Sequence, residues 1–323
     1  MSELITFTMC KQEQAFLDQL AQCQNLPSPP GIADRILALV EDRHATADDF
    51  AKLINMDASL AARILQLGNS PVYKQRRELY EIDRAITLIG LEATLTNALS
   101  IALVSSMQER SASNLNLQLF WQRSICAASA CRLLARHYRE SKTEAFFMSA
   151  LLQDIGMLAF DSMDTPIYAG LSPHQGDHLQ VIAHERAVVG LDHATAGAWL
   201  ISNWGLPVKY CEAILASHKP TDTLLEPENV KLAHCTAVSG LIADIFFGKS
   251  INDAIQRTLS VGGVLLNLKA EVLSTLLSYL ADELASMSSL FDLDLGEPEW
   301  LDRKKIMAES IINASADAEP AFI

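Results

Sequence analysis

Polar side chains stand in this sequence where apolar helices should carry none. Gln153 and Asp154 follow the run Phe147-Met148-Ser149-Ala150-Leu151-Leu152 and precede Ile155-Gly156. His193 opens a segment at Leu191-Asp192-His193-Ala194, and His218 closes Ala213-Ile214-Leu215-Ala216-Ser217-His218. Burying a carboxylate, a carboxamide or an imidazole without a partner is costly, so these groups are expected to converge on one another or on a ligand.

Other clusters have simpler readings. His174, His178 and His184, with Asp177 and Glu185, have a loose H-x3-H…H spacing and read as solvated histidines beside a helix. His44 and His137 stand near helix ends, where a cation is favourable without any function. Lys74-Gln75-Arg76-Arg77 is a local basic cluster and reads as a solvated loop. The six cysteines contain no C-x-x-C pair and read as reduced thiols, with Cys126 and Cys131 in an apolar helix as core residues. Thr46 to Leu67 resembles a helix-turn-helix only in outline: its second helix offers Arg63 and Gln66 and little else for base recognition, so it reads as ordinary packed helices.

The elements that must position these groups follow the helical period. Ala33, Ile36, Leu37 and Val40 form one stripe. Thr46 and Asp49 make a capping box that opens a helix with Phe50, Leu53 and Ile54 inward. Asp57 caps the next helix, which buries Leu60, Ile64 and Leu65 and stops at Gly68-Asn69-Ser70-Pro71, since Gly and Asn tolerate left-handed geometry and Pro cannot continue a helix. Further helices are expected at about 92–107, 117–138, 144–160, 194–204, 208–217, 229–247 and 270–287. Alternating strand patterns are absent, so the fold class is all-α. Ser111 to Asn116 reads as a joint, Asp161 to Asp177 as a loop, and the tail from Ser315 as frayed.

Half of the 323 residues are apolar and the net charge is −14. That supplies a large core and argues against disorder and against nucleic-acid binding, which needs clustered Lys and Arg. The longest apolar stretch, Leu232 to Phe247, is interrupted by His234, Ser239 and Asp244, so no membrane association is expected. No basic flank precedes an apolar run at the N-terminus, which reads as a cytoplasmic protein.

Several segments together resemble the HDOD family, a divergent relative of the HD metal-dependent phosphohydrolases. They are Leu26-Pro27-Ser28-Pro29-Pro30, Leu53 to Leu60, Gly68-Asn69-Ser70, Ala85 to Gly90, Gly190 to Leu200 and Trp204-Gly205-Leu206-Pro207. The resemblance runs from about Phe16 to Phe247. It implies an N-terminal helical bundle packed on an HD-like bundle. The corresponding division is an N-terminal extension at 1–15, an N-terminal helical subdomain at 16–112, an HD-like subdomain at 113–248 and a C-terminal helical extension at 249–323. HD enzymes hold metal with His and Asp on facing helices, and the metal polarises a phosphoryl oxygen and activates water. Here Arg123 takes the place of the first His, and Gln153-Asp154 the place of the HD pair. Ser217-His218 takes the place of the double His, His193 is kept, and the terminal Asp falls near His234. A guanidinium does not ligate metal, and its charge disfavours a dication, whereas pairing with Asp154 satisfies both charges.

The resemblance therefore implies a non-catalytic regulator of bacterial signal transduction with a degenerate pocket of Arg123, Gln153, Asp154, His193 and His218. It would act through unidentified signalling partners and admit a small anionic ligand. No cofactor is expected. The alternative is a metal-dependent phosphohydrolase, acting on a phosphomonoester or a cyclic nucleotide, with a divalent metal on Asp154, His193, His218 and His234.

Overall fold

The computed structural model of the chain describes residues 11–23, 26–42, 44–70, 73, 78–108, 115–163, 167–168 and 178–317, which are almost wholly helical and contain no strand. The basic cluster Lys74–Arg77, most of the Ser111–Asn116 joint, most of the Asp161–Asp177 loop with His174 and Asp177, and the last residues of the tail lie outside the described residues.

The first layer comprises α1 (Lys11–Leu20), α2 (Gly31–Glu41), α3 (Ala47–Asn55), α4 (Ala58–Gly68), α5 (Ile82–Ile89) and α6 (Leu91–Gln108). The capping box at α3 is formed: Asp49 N donates to Thr46 Oγ1 at 3.3 Å and Thr46 N to Asp49 Oδ2 at 3.0 Å. Asp57 accepts from Leu60 N at 3.0 Å and starts α4. The end of α4 departs from the expected left-handed stop, because Asn69 keeps a helical φ of −85°. Its side chain does the work instead, bracketing Leu79 by accepting from Leu79 N at 2.7 Å and donating to Leu79 O at 3.0 Å.

The second layer holds α7 (Leu117–His137), α8 (Thr143–Leu151), α9 (Gly156–Asp161), α10 (His178–Val189), α11 (His193–Asn203), α12 (Val208–Leu215) and α13 (Val230–Phe247). Here the single helix expected over 144–160 is two helices. The chain turns at residues 152–155 because α9 crosses α11 in backbone contact: a Cβ on Gly156 would stand 2.0 Å from His193 O and 2.6 Å from Gly197 N. Only glycine permits that crossing, and the turn it requires points Gln153 and Asp154 toward α11 and α13. By length and composition α13 could cross a membrane, contrary to the reading of its interruptions, with a mean hydropathy of 1.4. Its apolarity is accounted for by packing: α7, α8, α12 and α14 surround it and bury two thirds of it.

The C-terminal helices are α14 (Ile251–Leu266), α15 (Ala270–Phe291) and α16 (Pro298–Asp317). α14 and α16 lie on α13, and α15 lies on α7 and reaches α4 and α6. One continuous core runs from Leu17 to Ile312. Inside it, Arg132 pairs with Glu144 at 3.1 Å and with Glu283, while Asn97 donates to Glu144 at 3.2 Å, so that α6, α7, α8 and α15 share one buried network. Trp204 Nε1 donates to Pro27 O at 3.2 Å and joins the two layers.

Candidate functional site

Asp154, His193 and His218 meet, as the cost of burying them separately requires. The fourth member is His178, which the spacing had assigned to a solvated cluster. It begins α10 and points inward, and one ligand atom from each of Asp154, His178, His193 and His218 lies within 4.8 Å of the others. His178 Nε2 is 3.3 Å from His218 Nε2 and 3.7 Å from Asp154 Oδ1, and His193 Nε2 is 3.4 Å from the same oxygen.

The imidazoles are oriented from behind. Gly190, at φ 86°, turns the chain from α10 into Asp192, which caps α11 by accepting from Thr195 N at 3.0 Å. His193 therefore starts α11, and its own N–H donates to Glu185 Oε2 at 3.0 Å. The same carboxylate lies 2.7 Å from His193 Nδ1, and Tyr168 Oη donates to it at 2.6 Å. Asp192 stands 3.7 Å from His218 Nδ1 and is itself held by Arg186 Nε at 3.0 Å.

Arg123 enters from α7, almost wholly buried. Its guanidinium pairs with Asp154 Oδ2, donates from Nε to Asp244 Oδ1 at 2.9 Å, and donates from Nη2 to Gly240 O at 3.3 Å. The carboxylate that α13 brings to this site is thus Asp244, which pairs with Arg123 and is not among the clustered ligand atoms. His234 itself is not in the site. Ten residues, about 15 Å of helix, separate it from Asp244, and its Nδ1 lies 3.1 Å from Leu265 O on α14. Gln153 lies against Gly240, where an added Cβ would come within 3.0 Å of its Oε1, and its Nε2 has no hydrogen-bond partner.

Charge alternates along this chain of groups. Burial works against the charge on Asp154, but Arg123, His178 and His193 hold its carboxyl well below the usual range. Burial also works against protonated His193, yet Glu185 and Asp154 raise it to about 10. His178 is pushed well below its ordinary value by burial and then by Arg123. His218 is lowered by burial and His193 against the pull of Asp192. For Asp244 burial exceeds the effect of Arg123, and its carboxyl is raised.

The donor set fits a divalent ion. Bonds of about 2.1 Å in a tetrahedron place ligands about 3.4 Å apart, close to the separations here. Asp154 Oδ1 and His193 Nε2 are buried without hydrogen-bond partners, and carboxylates stand behind His193 and His218 as outer supports. Against it stands the Arg123 charge on the other oxygen of Asp154.

Glu185, Asp192 and Asp244 were missed as site residues. The signal for Asp244 was present, since a carboxylate within the apolar helix α13 needs a partner as much as Asp154 does. Glu185 and His178 have no such signal, because they follow a loop and share a helix with exposed residues such as Leu179 and Val188.

The family model for the HDOD domain matches residues 26–220, well over half of the chain. The chain belongs to the HDOD family. No curated protein matches it. Among solved structures, it is similar to an HDOD domain protein of unknown function from Geobacter sulfurreducens, at 19% identity and a TM-score of 0.64 over 89% of this chain and 98% of that one. A Shewanella amazonensis SB2B protein described as a "Putative phosphohydrolase" aligns at 20% identity and a TM-score of 0.58, covering 95% of this chain and 97% of that one. A Marinobacter aquaeolei VT8 protein described as a "Putative signal transduction protein" aligns at 20% identity and a TM-score of 0.57, covering 94% of this chain and 65% of that one. At these identities the likeness establishes the helical HDOD fold.

Proposed function

We propose that this HDOD protein is a regulatory module of cytoplasmic signal transduction, acting through contacts with other signalling proteins and binding a small anion at its central site without hydrolysing a phosphoester. One observation carries the reading. Arg123, on α7, occupies two carboxylates, Asp154 and Asp244, with a cation that cannot dissociate a proton. The alternating series Glu185, His193, Asp154, Arg123 and Asp244 is therefore complete in protein charges. An incoming dication would have to displace the proton of His193 and lie beside a fixed guanidinium. With a net charge of −14, nucleic acid is not among the partners.

The ligand spacing favours a second reading, a metal-dependent phosphohydrolase. Asp154, His178, His193 and His218 would hold one divalent ion, which when bound would polarise a phosphoryl oxygen and activate water. The two readings separate in one assay. Purified protein is supplied with Mn²⁺ or Zn²⁺ and offered p-nitrophenyl phosphate, bis-p-nitrophenyl phosphate and cyclic nucleotides, beside the Asp154→Asn variant. No turnover above that of the variant supports the regulatory reading. Metal-dependent turnover that Asp154→Asn abolishes overturns it in favour of the hydrolase.

A further inference from the structure

A cavity of about 350 Å³ lies beside the histidine cluster, between α10, the 217–221 turn, α13 and α14. α14 begins at Ile251, beyond the stretch that matches the family, so the wall it contributes belongs to the part of the chain that the family match does not reach. The volume is at the small end for ligand pockets.

The inner end of the cavity is polar. Gln153 and Ser217 are 3% and 9% exposed, both line it, and the Gln153 Nε2 and Ser217 Oγ atoms are buried without hydrogen-bond partners. An amide N–H₂ only donates, so what it meets must accept. A buried donor left unmet is destabilising, and a ligand's acceptor atoms would relieve it. The walls are apolar: Ile182, Leu241, Val261 and Leu265 line the cavity together with Leu179 and Val264, which remain 54% and 80% exposed. The Asp, Glu, Lys and Arg side chains lining the cavity are Arg123, Arg257 and Asp244, and Arg123 is shared with Asp154 behind the lining, so the group is balanced in charge.

We infer that this cavity binds an amphipathic organic monoanion, its carboxylate head accepting from Gln153 and Ser217 and its apolar tail lying between Ile182 and the α14 residues Val261 and Leu265. The inference rests on the reading of the central site as a binding site and states what it binds. The head supplies acceptors only, which is what the Gln153 amide N–H₂ requires, and two guanidinium groups, Arg123 and Arg257, line the cavity it enters. The tail covers apolar surface otherwise open to water.

The test is calorimetric titration of the full-length protein with octanoate in the presence of EDTA, with acetate and octylamine as comparators. Octanoate is expected to bind at one molecule per chain, at least tenfold tighter than either comparator. Ser217→Ala should weaken it severalfold. Val264→Glu alters a position already in solvent, so folding is retained, and it places an anion at the rim; it should weaken octanoate at least tenfold. Equal binding of acetate would show that the apolar wall contributes nothing, and equal binding of octylamine that the head is not recognised as an anion. Either result, or insensitivity to both substitutions, or no binding at all, overturns the inference. Phosphoester turnover in the hydrolysis assay would instead overturn the regulatory reading, and the titration would still decide the cavity on its own.

Discussion

Replacing Arg123 by Met removes one cation from between two buried carboxylates while keeping a long, flexible apolar stem in its place. Asp154 and Asp244 have side chains 2% and 17% exposed, and the guanidinium contacts both of them and Gly240 O. Removing one partner of a buried ion pair costs about 3–5 kcal/mol, because the charge left behind is uncompensated. Two carboxylates lose the same partner here, so the loss should lie in the upper part of that range. The loss also depends on pH in a stated sense. In the native protein Asp154 is held below its unfolded value, so its contribution is present above about pH 4 and fades as pH falls through the lower folded value. In the variant, burial acts on Asp244 with Arg257 alone to oppose it, and its carboxyl, already raised, rises further, so the folded state takes up a proton that the unfolded state does not hold. Stability then falls as pH rises through the raised value, and the deficit against the native protein is smaller at pH 5 than at pH 8. Urea unfolding followed by circular dichroism at both pH values measures it. Adding Asp244→Asn to the Met variant should return about 1–2 kcal/mol, since one stranded charge is gone. A loss under about 1 kcal/mol, the same at both pH values and unchanged by Asp244→Asn, would refute the reasoning, because that is how a solvated pair behaves.

Gly156→Ala should cost at least the about 1–3 kcal/mol of an overpacked core, since the new methyl meets backbone atoms of His193 and Gly197. Gly31→Ala, with nothing within 4 Å, should change little, and urea midpoints compare the two. Cys126, Cys131, Cys211 and Cys235 are buried, and burial pushes their thiols up, to about 12 for Cys211 and Cys235. At pH 8 iodoacetamide should label these four only after denaturant is added, which mass spectrometry resolves site by site. His193 is raised to about 10, chiefly by Glu185 once burial is overcome, so its contribution to stability is full below about pH 6.5 and is lost as pH rises toward 10. The slope of stability between pH 7 and 10 should therefore flatten in Glu185→Gln relative to the native protein.

What was legible in the sequence was local or compulsory. The caps at Thr46 and Asp57 are fixed by side chains three residues from the amides they satisfy, and both formed as read. Asp154, His193 and His218 converge because buried polar groups in apolar helices have few alternatives. What escaped depends on long-range approach. The break before α9 comes from the Gly156 crossing of α11, and nothing within residues 144–160 announces the partner helix 37 residues away. His178 enters the site because α10 packs across it, although its sequence neighbours face solvent. α14 carries apolar residues on one face, but Val264 is exposed on the cavity rim, and the pattern there records the cavity as much as the core.

The series from Glu185 to Asp244 explains how so many ionisable groups are buried together. Taken with His193 protonated, the charges run negative, positive, negative, positive, negative, and Arg257 faces Asp244 at the far end. Each charge has opposite neighbours, which is the condition under which a buried network repays its desolvation. The arrangement also sets the cost of changing any member. A dication at Asp154 must expel the His193 proton and then sits between three imidazoles and a guanidinium, whereas an anionic head at Gln153 and Ser217 leaves the series intact. Metal affinity should accordingly rise with pH and anion affinity should not, so the pH dependence of each titration distinguishes which ligand the site was built to receive.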